Sequence, residues 1–150
     1  MARFTFRMAT LLKLRESARD ERQALLVRAQ RAADVLRQQQ ATLEQEAQRL
    51  EQQSRDAVRP GRIDVDHLLH ARRYELLLRA QQQDLAQQQQ AVDAEIQRRQ
   101  RALVEANREV RVLELLREKQ WTRYRDEEAR QEIKQLDEVA QRTGRGEEVA

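Results

Sequence analysis

Arg59-Pro60-Gly61-Arg62-Ile63-Asp64-Val65-Asp66 is the one strong interruption in a chain of 150 residues made otherwise of helix formers. Proline lacks the amide that a helix interior needs and disfavours helical geometry at the residue before it. Glycine then opens backbone conformations that let the chain turn. Just downstream, Asp64 is placed to cap a new helix. Ile63 and Leu68 sit at the two ends of a hydrophobic staple, and Asp66 in the first turn suits the helix dipole. The stretch therefore predicts a turn over 59–64 between a helix over 3–58 and a longer helix over 65–142. Beyond that, Thr143-Gly144-Arg145-Gly146 and the rest of 143–150 are expected to fray as a flexible tail.

On either side of the turn the apolar residues recur at alternating steps of four and three. In the first helix the positions are 4, 8, 11, 15, 18, 22, 25, 29, 32, 36, 39, 43, 46, 50, 53 and 57, of which eleven are apolar, among them Phe4, Met8, Leu11, Leu25, Ala29, Leu36, Leu43 and Leu50. The second helix carries Leu68, Ala71, Leu78, Leu85, Val92, Ile96, Leu103, Ala106, Val110, Leu113 and Tyr124 at the same spacing. Such spacing over many heptads predicts a coiled-coil seam. The expected fold is therefore all-α: a single long antiparallel two-helix coiled coil, or α-hairpin, with the second helix the longer. Residues whose numbers add to about 122 then lie level, so Phe4 faces the region of residue 118. Polar residues on the first-helix seam, such as Arg15, Arg22, Gln39 and Glu46, weaken it and can fix its register.

Composition agrees. Charged residues make up 37% and aromatics 3%, with three Gly and one Pro. So little apolar material cannot fill a wide core, and the mix is that of long helices. Mixed signs leave a formal net charge of +3, too little self-repulsion to hold the chain disordered. Cysteine is absent, which removes disulfides and thiol chemistry. No apolar run reaches the roughly 20 residues that cross a bilayer. No secretory leader is expected, because Lys13 and Arg15 follow Leu11-Leu12 at once.

Little in the chain points to catalysis. There is no phosphate-binding glycine loop and no zinc-protease signature. The two histidines, His67 and His70, would make a weak metal site on an exposed helix. Carboxylates on a narrow stalk have no pocket to perturb them. No enzymatic activity, catalytic residue, cofactor or metal is expected. Nucleic acid is not an expected partner either, because Arg and Glu are interspersed and form no basic stripe.

Aromatic placement says more. In the folded-back register Phe4, Phe6, Trp121 and Tyr124 converge on the open end, with Arg7, Arg117, Arg123 and Arg125 close by. Such a cluster can plug a fraying coiled coil, and it can also be a docking tip, since Trp, Tyr and Arg dominate binding hot spots. A second feature is His67-Leu-Leu-His-Ala-Arg-Arg-Tyr-Glu-Leu-Leu-Leu78. The seam needs Leu68, Ala71 and Leu78. Leu69, Tyr74, Leu76 and Leu77 are surplus, either a docking patch or a locally wider core.

The opening Phe4-Thr-Phe-Arg-Met-Ala-Thr-Leu-Leu-Lys-Leu-Arg15, with Glu16 and Arg19-Asp-Glu-Arg22 after it, resembles the start of the FliJ proteins of the bacterial flagellar export apparatus. The likeness continues in Ile63-Asp64, in Arg73-Tyr74-Glu-Leu-Leu77, in Trp121-Thr-Arg-Tyr124-Arg-Asp-Glu-Glu128 and in Leu136-Asp137-Glu138. The resemblance implies a non-enzymatic stalk of the type III protein export machine, needed for building the flagellum and hence for motility and chemotaxis. It implies a cytoplasmic place, peripheral to the inner-membrane export apparatus. Family members resemble the coiled coil of the rotary ATPase gamma subunit. They insert into a hexameric export ATPase and stimulate it, contact the cytoplasmic domain of the membrane export gate, and take part in handling export chaperones. Carried onto this chain, the ATPase-facing residues would be Phe4, Phe6, Leu11, Arg15, Trp121 and Tyr124. Tyr74, Leu76 and Leu77 would serve the gate or a chaperone. The stalk of virulence type III secretion systems shares this architecture, and a homo-oligomeric coiled-coil scaffold is the remaining alternative.

Overall fold

A computed structural model describes residues 3–58, 61 and 63–147. It contains two helices, α1 over Ala9–Ala57 and the longer α2 over Val65–Glu147. Both are rich in Ala, Leu, Arg, Glu and Gln, the residues that lose least on entering a helix. The all-α helical hairpin expected from the two seams is the observed fold. No helix of the described residues is long and apolar enough to cross a membrane.

Three boundaries differ from the sequence reading. α1 starts at Ala9, not at Arg3. Residues 3–6 are non-helical and 7–8 form a turn, closed by the Ala9 amide donating to the Phe6 carbonyl at 3.2 Å. Phe4-Thr5-Phe6 couples two aromatics with a β-branched residue, all mediocre helix formers, and its i, i+2 spacing suits an extended segment that turns both rings to one side. α1 ends at Ala57, one residue before the expected Val58, which is in a turn. α2 does not fray at Thr143 but runs on through Gly144 and Gly146 to Glu147. Nothing there forbids helix as a proline would, and the Thr143 hydroxyl donates to the Val139 carbonyl at 2.9 Å.

Arg59, Pro60 and Arg62 of the turn, and residues 148–150 of the tail, lie outside the described residues. Gly61 has φ +127°, a conformation that costs a side-chain-bearing residue dearly. The start of α2 is capped as anticipated: the His67 amide donates to Asp64 Oδ1 at 3.3 Å and the Leu68 amide to the Asp64 carbonyl at 3.1 Å. Ile63 stays exposed, so the staple buries little.

The chain divides into two compact units. One combines Met1–Asp20 with Glu105–Ala150, of which residues 3–20 and 105–147 are described; the other is Glu21–Val104. Within Glu21–Val104 the helices run antiparallel. Arg99 on α2 donates to the carbonyl of Leu25 on α1, and Tyr74 donates to Glu46. Its core is narrow: the buried hydrophobic side chains are Leu26, Ala29, Ala33 and Leu36 on α1 and Leu78 on α2. The alanines let two backbones approach closely. The seam of this unit also holds polar side chains. Gln89 donates to Asp93 while its Oε1 is buried without a partner among the described residues.

The other unit is antiparallel too. Arg15 on α1 meets Glu109 on α2 at 2.8 Å. Leu12, Val110 and Leu113 form the core there, with Phe6 packed against them.

Every α2 seam residue named from the sequence is buried or partly buried. On α1 half of the seam moves by one residue. Ala29, Leu36, Leu43, Leu50 and Ala57 face inward as expected. In place of Leu11, Leu25 and Ala32, however, the inward residues are Leu12, Leu26 and Ala33. Leu12 is 4% exposed where Leu11 is 37%, and Leu26 is 9% where Leu25 is 37%. Each is the second member of an apolar doublet, so the apolar pattern alone fits both phases. The tie is broken further along: the observed phase brings the small Ala47 and Ser54 inward, whereas the other would bring Gln53.

Candidate functional site

The aromatic cluster is built by both helices of the unit that contains residues 3–20 and 105–147. Phe4 arrives on the non-helical segment ahead of α1. Trp121 and Tyr124, three residues apart, project from one face of α2. The Phe4 and Trp121 rings meet edge-on with centroids 5.2 Å apart, Phe4 and Tyr124 lie at 5.5 Å, and Trp121 and Tyr124 stack at 5.8 Å. These are the separations at which aromatic pairs add to their area burial. Phe4 reaches Trp121 and Tyr124 and not the level of residue 118. An extended residue advances about 3.3 Å where a helical one advances about 1.5 Å, so the non-helical start carries it further along α2.

The cluster is not sealed. Trp121 remains 45% exposed, and Phe4 and Tyr124 are half-buried. The Tyr124 hydroxyl donates to the Glu128 carboxylate one turn on. That hydrogen bond, then desolvation and the nearby negative charge, raises the phenol above its ordinary value. Arg117 stands one turn before Trp121 and Arg125 directly after Tyr124; both are exposed, as are Arg7 and Arg123. The result is a ring cluster with one open face and charges of both signs near it, since Glu118 and Glu128 stand one turn from Trp121 and Tyr124 respectively.

The remaining residues of this set divide. Phe6 is partly buried and packs against the core of Leu12, Val110 and Leu113. Leu11 presents part of its side chain to solvent beside that core. Arg15 is not a seam intruder. It lies half-exposed at the edge, paired with Glu109, where an exposed ion pair contributes at most about 1 kcal/mol.

In the unit Glu21–Val104, Leu76 and Leu77 are 53% and 52% exposed and Leu69 is equally open. Their neighbour Leu78 is the most deeply buried leucine there. Leu69, Leu76 and Leu77 therefore lie on the outer side of α2, and the wider-core reading does not describe them. Tyr74 bridges outward and inward: its ring is 43% exposed, while its hydroxyl donates to Glu46 Oε2 at 3.2 Å. The Glu46 charge, then the hydrogen bond to it, raises the Tyr74 phenol above its ordinary value. One residue on, Glu75 takes Arg72 at 2.7 Å and Arg79 at 2.6 Å. The Arg72 hydrogen bond, with both guanidinium charges and against some desolvation, holds its carboxyl below the ordinary value.

Sequence reasoning missed three cross-helix contacts: Arg15 with Glu109, Glu46 with Tyr74, and Arg99 with the Leu25 carbonyl. Glu46 stood out only as a polar intruder on the seam. Arg99 gave no signal beyond its helical spacing from Glu95, to which it also bonds.

A family profile described as flagellar FliJ protein matches residues 4–148. No curated protein and no solved structure matches the chain.

Proposed function

The chain belongs to the FliJ family, and from that premise we propose that it is a cytoplasmic, non-enzymatic stalk of the flagellar type III protein export apparatus, which binds and stimulates the hexameric export ATPase. The observation that carries the reading is the open aromatic cluster of Phe4, Trp121 and Tyr124. A plug that served stability alone would be expected to cover its largest ring, and Trp121 keeps nearly half of its surface in water. Leu11 and Arg15 extend this face along α1. Phe6 supports it from beneath by holding the segment that delivers Phe4.

The second surface, Leu69, Tyr74, Leu76 and Leu77, is the candidate for the cytoplasmic domain of the export gate or for an export chaperone. It offers exposed leucines around a half-exposed tyrosine, a common composition for an interaction patch. The family match favours a flagellar stalk over the stalk of a virulence secretion system. Work at the inner-membrane export apparatus would be peripheral, through these protein contacts.

The test is turnover of the cognate export ATPase near the concentration at which its hexamer forms, with and without this protein. Wild type stimulates turnover. Trp121→Ala with Tyr124→Ala stays helical and needs on the order of 30-fold more protein for the same effect, the loss expected of a hot-spot anchor worth about 2 kcal/mol. Raising salt slows association, because exposed arginines beside the cluster steer the encounter. A wild-type protein that neither binds the ATPase nor changes its rate at low salt removes this function.

A further inference from the structure

Past Glu128, α2 buries nothing: every described side chain over residues 129–146 is exposed. Yet Ala129, Ile133, Leu136 and Ala140 follow one another at steps of four, three and four, which places them on one face. Ile133 is 58% and Leu136 68% exposed. This stripe does not continue the inner seam. Carried onward by heptads from Val110 and Leu113, the seam reaches Gln131 and Glu127, both exposed. At about 100° per residue, Ile133 lies ~140° around the helix from Val110. The stripe is a second coiled-coil face with no partner among the described residues.

The flanking charges decide what fits it. With Ile133 and Ala140 at a, and Ala129 and Leu136 at d, the e positions hold Arg130 and Asp137 and the g positions Glu132 and Val139, with Arg125 at the g position before the segment. Pairing with a parallel copy sets g against the following e of its partner. Glu132 would then oppose an Asp137 and Arg125 an Arg130, like against like throughout. An antiparallel copy sets e against e. With Ile133 level with the other copy's Leu136, Arg130 opposes Asp137, and the two-fold axis repeats the pair. Neither Arg130 nor Asp137 has an ion pair of its own among the described residues, so both are available.

We propose that residues 129–140 of α2 pair antiparallel with the same segment of a second copy of this chain, giving a closed two-fold dimer. Such a contact is isologous and ends at two copies, so it builds no filament. Four apolar positions per chain make a small interface. Dissociation falls in the range of about 10 μM to 1 mM, below the strength of standard-sized interfaces. The proposal does not rest on the export reading, and its experiment uses this protein alone.

Sedimentation equilibrium of the full chain from about 5 μM to 1 mM reads the association, with circular dichroism to check helix content. Wild type passes from monomer to dimer. Leu136→Asp, a change at an exposed position, stays monomeric while remaining helical. Asp137→Lys weakens association about 3- to 10-fold by setting Lys against Arg130, and adding Arg130→Glu restores it. Tighter association of Asp137→Lys would mean the parallel arrangement, in which the new Lys faces Glu132, and would overturn the proposal. So would a wild type that is monomeric throughout, or a dimer indifferent to Leu136→Asp.

Discussion

Leu11, Leu12 and Leu14 make a graded series within one turn of α1, and truncating each to alanine separates packing from binding. Leu12 is 4% exposed, Leu11 37% and Leu14 63%. Leu14 has about the exposure that a leucine keeps on a solitary helix, so its value marks the level of no tertiary burial. Against that level Leu12 buries nearly all of its side chain on α2 and Leu11 somewhat less than half. Leucine to alanine removes three carbons, worth ~2.4 kcal/mol at ~0.8 kcal/mol for each buried group. Leu12→Ala should therefore cost about 2–3 kcal/mol, at the low end of the range for buried leucines because a two-helix interface can close on a small cavity. Leu11→Ala should cost about 1 kcal/mol. Leu14→Ala should be within ~0.5 kcal/mol of wild type, helped slightly by alanine's helix propensity. Urea titration followed at 222 nm gives the order Leu12→Ala, Leu11→Ala, Leu14→Ala in decreasing loss. A Leu11→Ala loss equal to or larger than that of Leu12→Ala refutes the observed phase of the α1 seam. In the ATPase assay the order should change if Leu11 belongs to the proposed docking face, since Leu11→Ala removes exposed surface there while Leu12→Ala leaves that surface in place.

Two further outcomes follow from single contacts. Asp64→Ala removes the acceptor of the His67 amide and should lower stability by about 1 kcal/mol in the same denaturation assay, while Asp64→Ser keeps most of it. Tyr74 should titrate above the ordinary phenol value of 10.0, because the Glu46 carboxylate faces its hydroxyl. A group whose folded value is raised contributes its stability in full below the unfolded value and loses it as pH rises through the folded value. The contribution of Tyr74 is thus present at neutral pH and lost only in strong alkali. Absorbance at 295 nm in a Tyr124→Phe background reads the phenolate, and Glu46→Gln should move the midpoint back toward 10.0.

The hairpin was legible because each of its causes is local. Pro60-Gly61 spells a helix break in the sequence, Asp64 is placed to restart the helix, and the α2 seam keeps a continuous heptad spacing. Ala71, Ile96, Ala106 and Val110 each stand between polar neighbours, and they fix the phase that selects Leu78 from its apolar neighbours Leu76 and Leu77. On α1 three seam positions are doublets. Leu11-Leu12, Leu25-Leu26 and Ala32-Ala33 each satisfy two phases, and only the quieter residues choose between them. Ser54 in place of Gln53 is a preference for size across a narrow gap, which periodicity does not register. The start of α1 was misjudged for a related reason. Heptad counting assigned Phe4 a helical level, although Phe4-Thr5-Phe6 has the alternation of an extended segment.

The same distinction governs the candidate site. Convergence of Phe4, Trp121 and Tyr124 needs only an antiparallel fold and approximate levels, so it could be read from the sequence. Which aromatic keeps an open face could not, because that depends on where the extended segment lies against α2. Phe6 and Phe4 are two residues apart and identical in chemistry, yet one ring packs against the core of Leu12, Val110 and Leu113 and the other meets Trp121 edge-on. A docking surface built this way would divide two jobs. The packed Phe6 ring would hold the segment, so that the cluster could meet a partner without ordering itself first. That prior ordering lowers the entropy lost on binding. It follows that Phe6→Leu, which keeps an apolar side chain in the core but fits it less well, should weaken ATPase stimulation more than it weakens the fold.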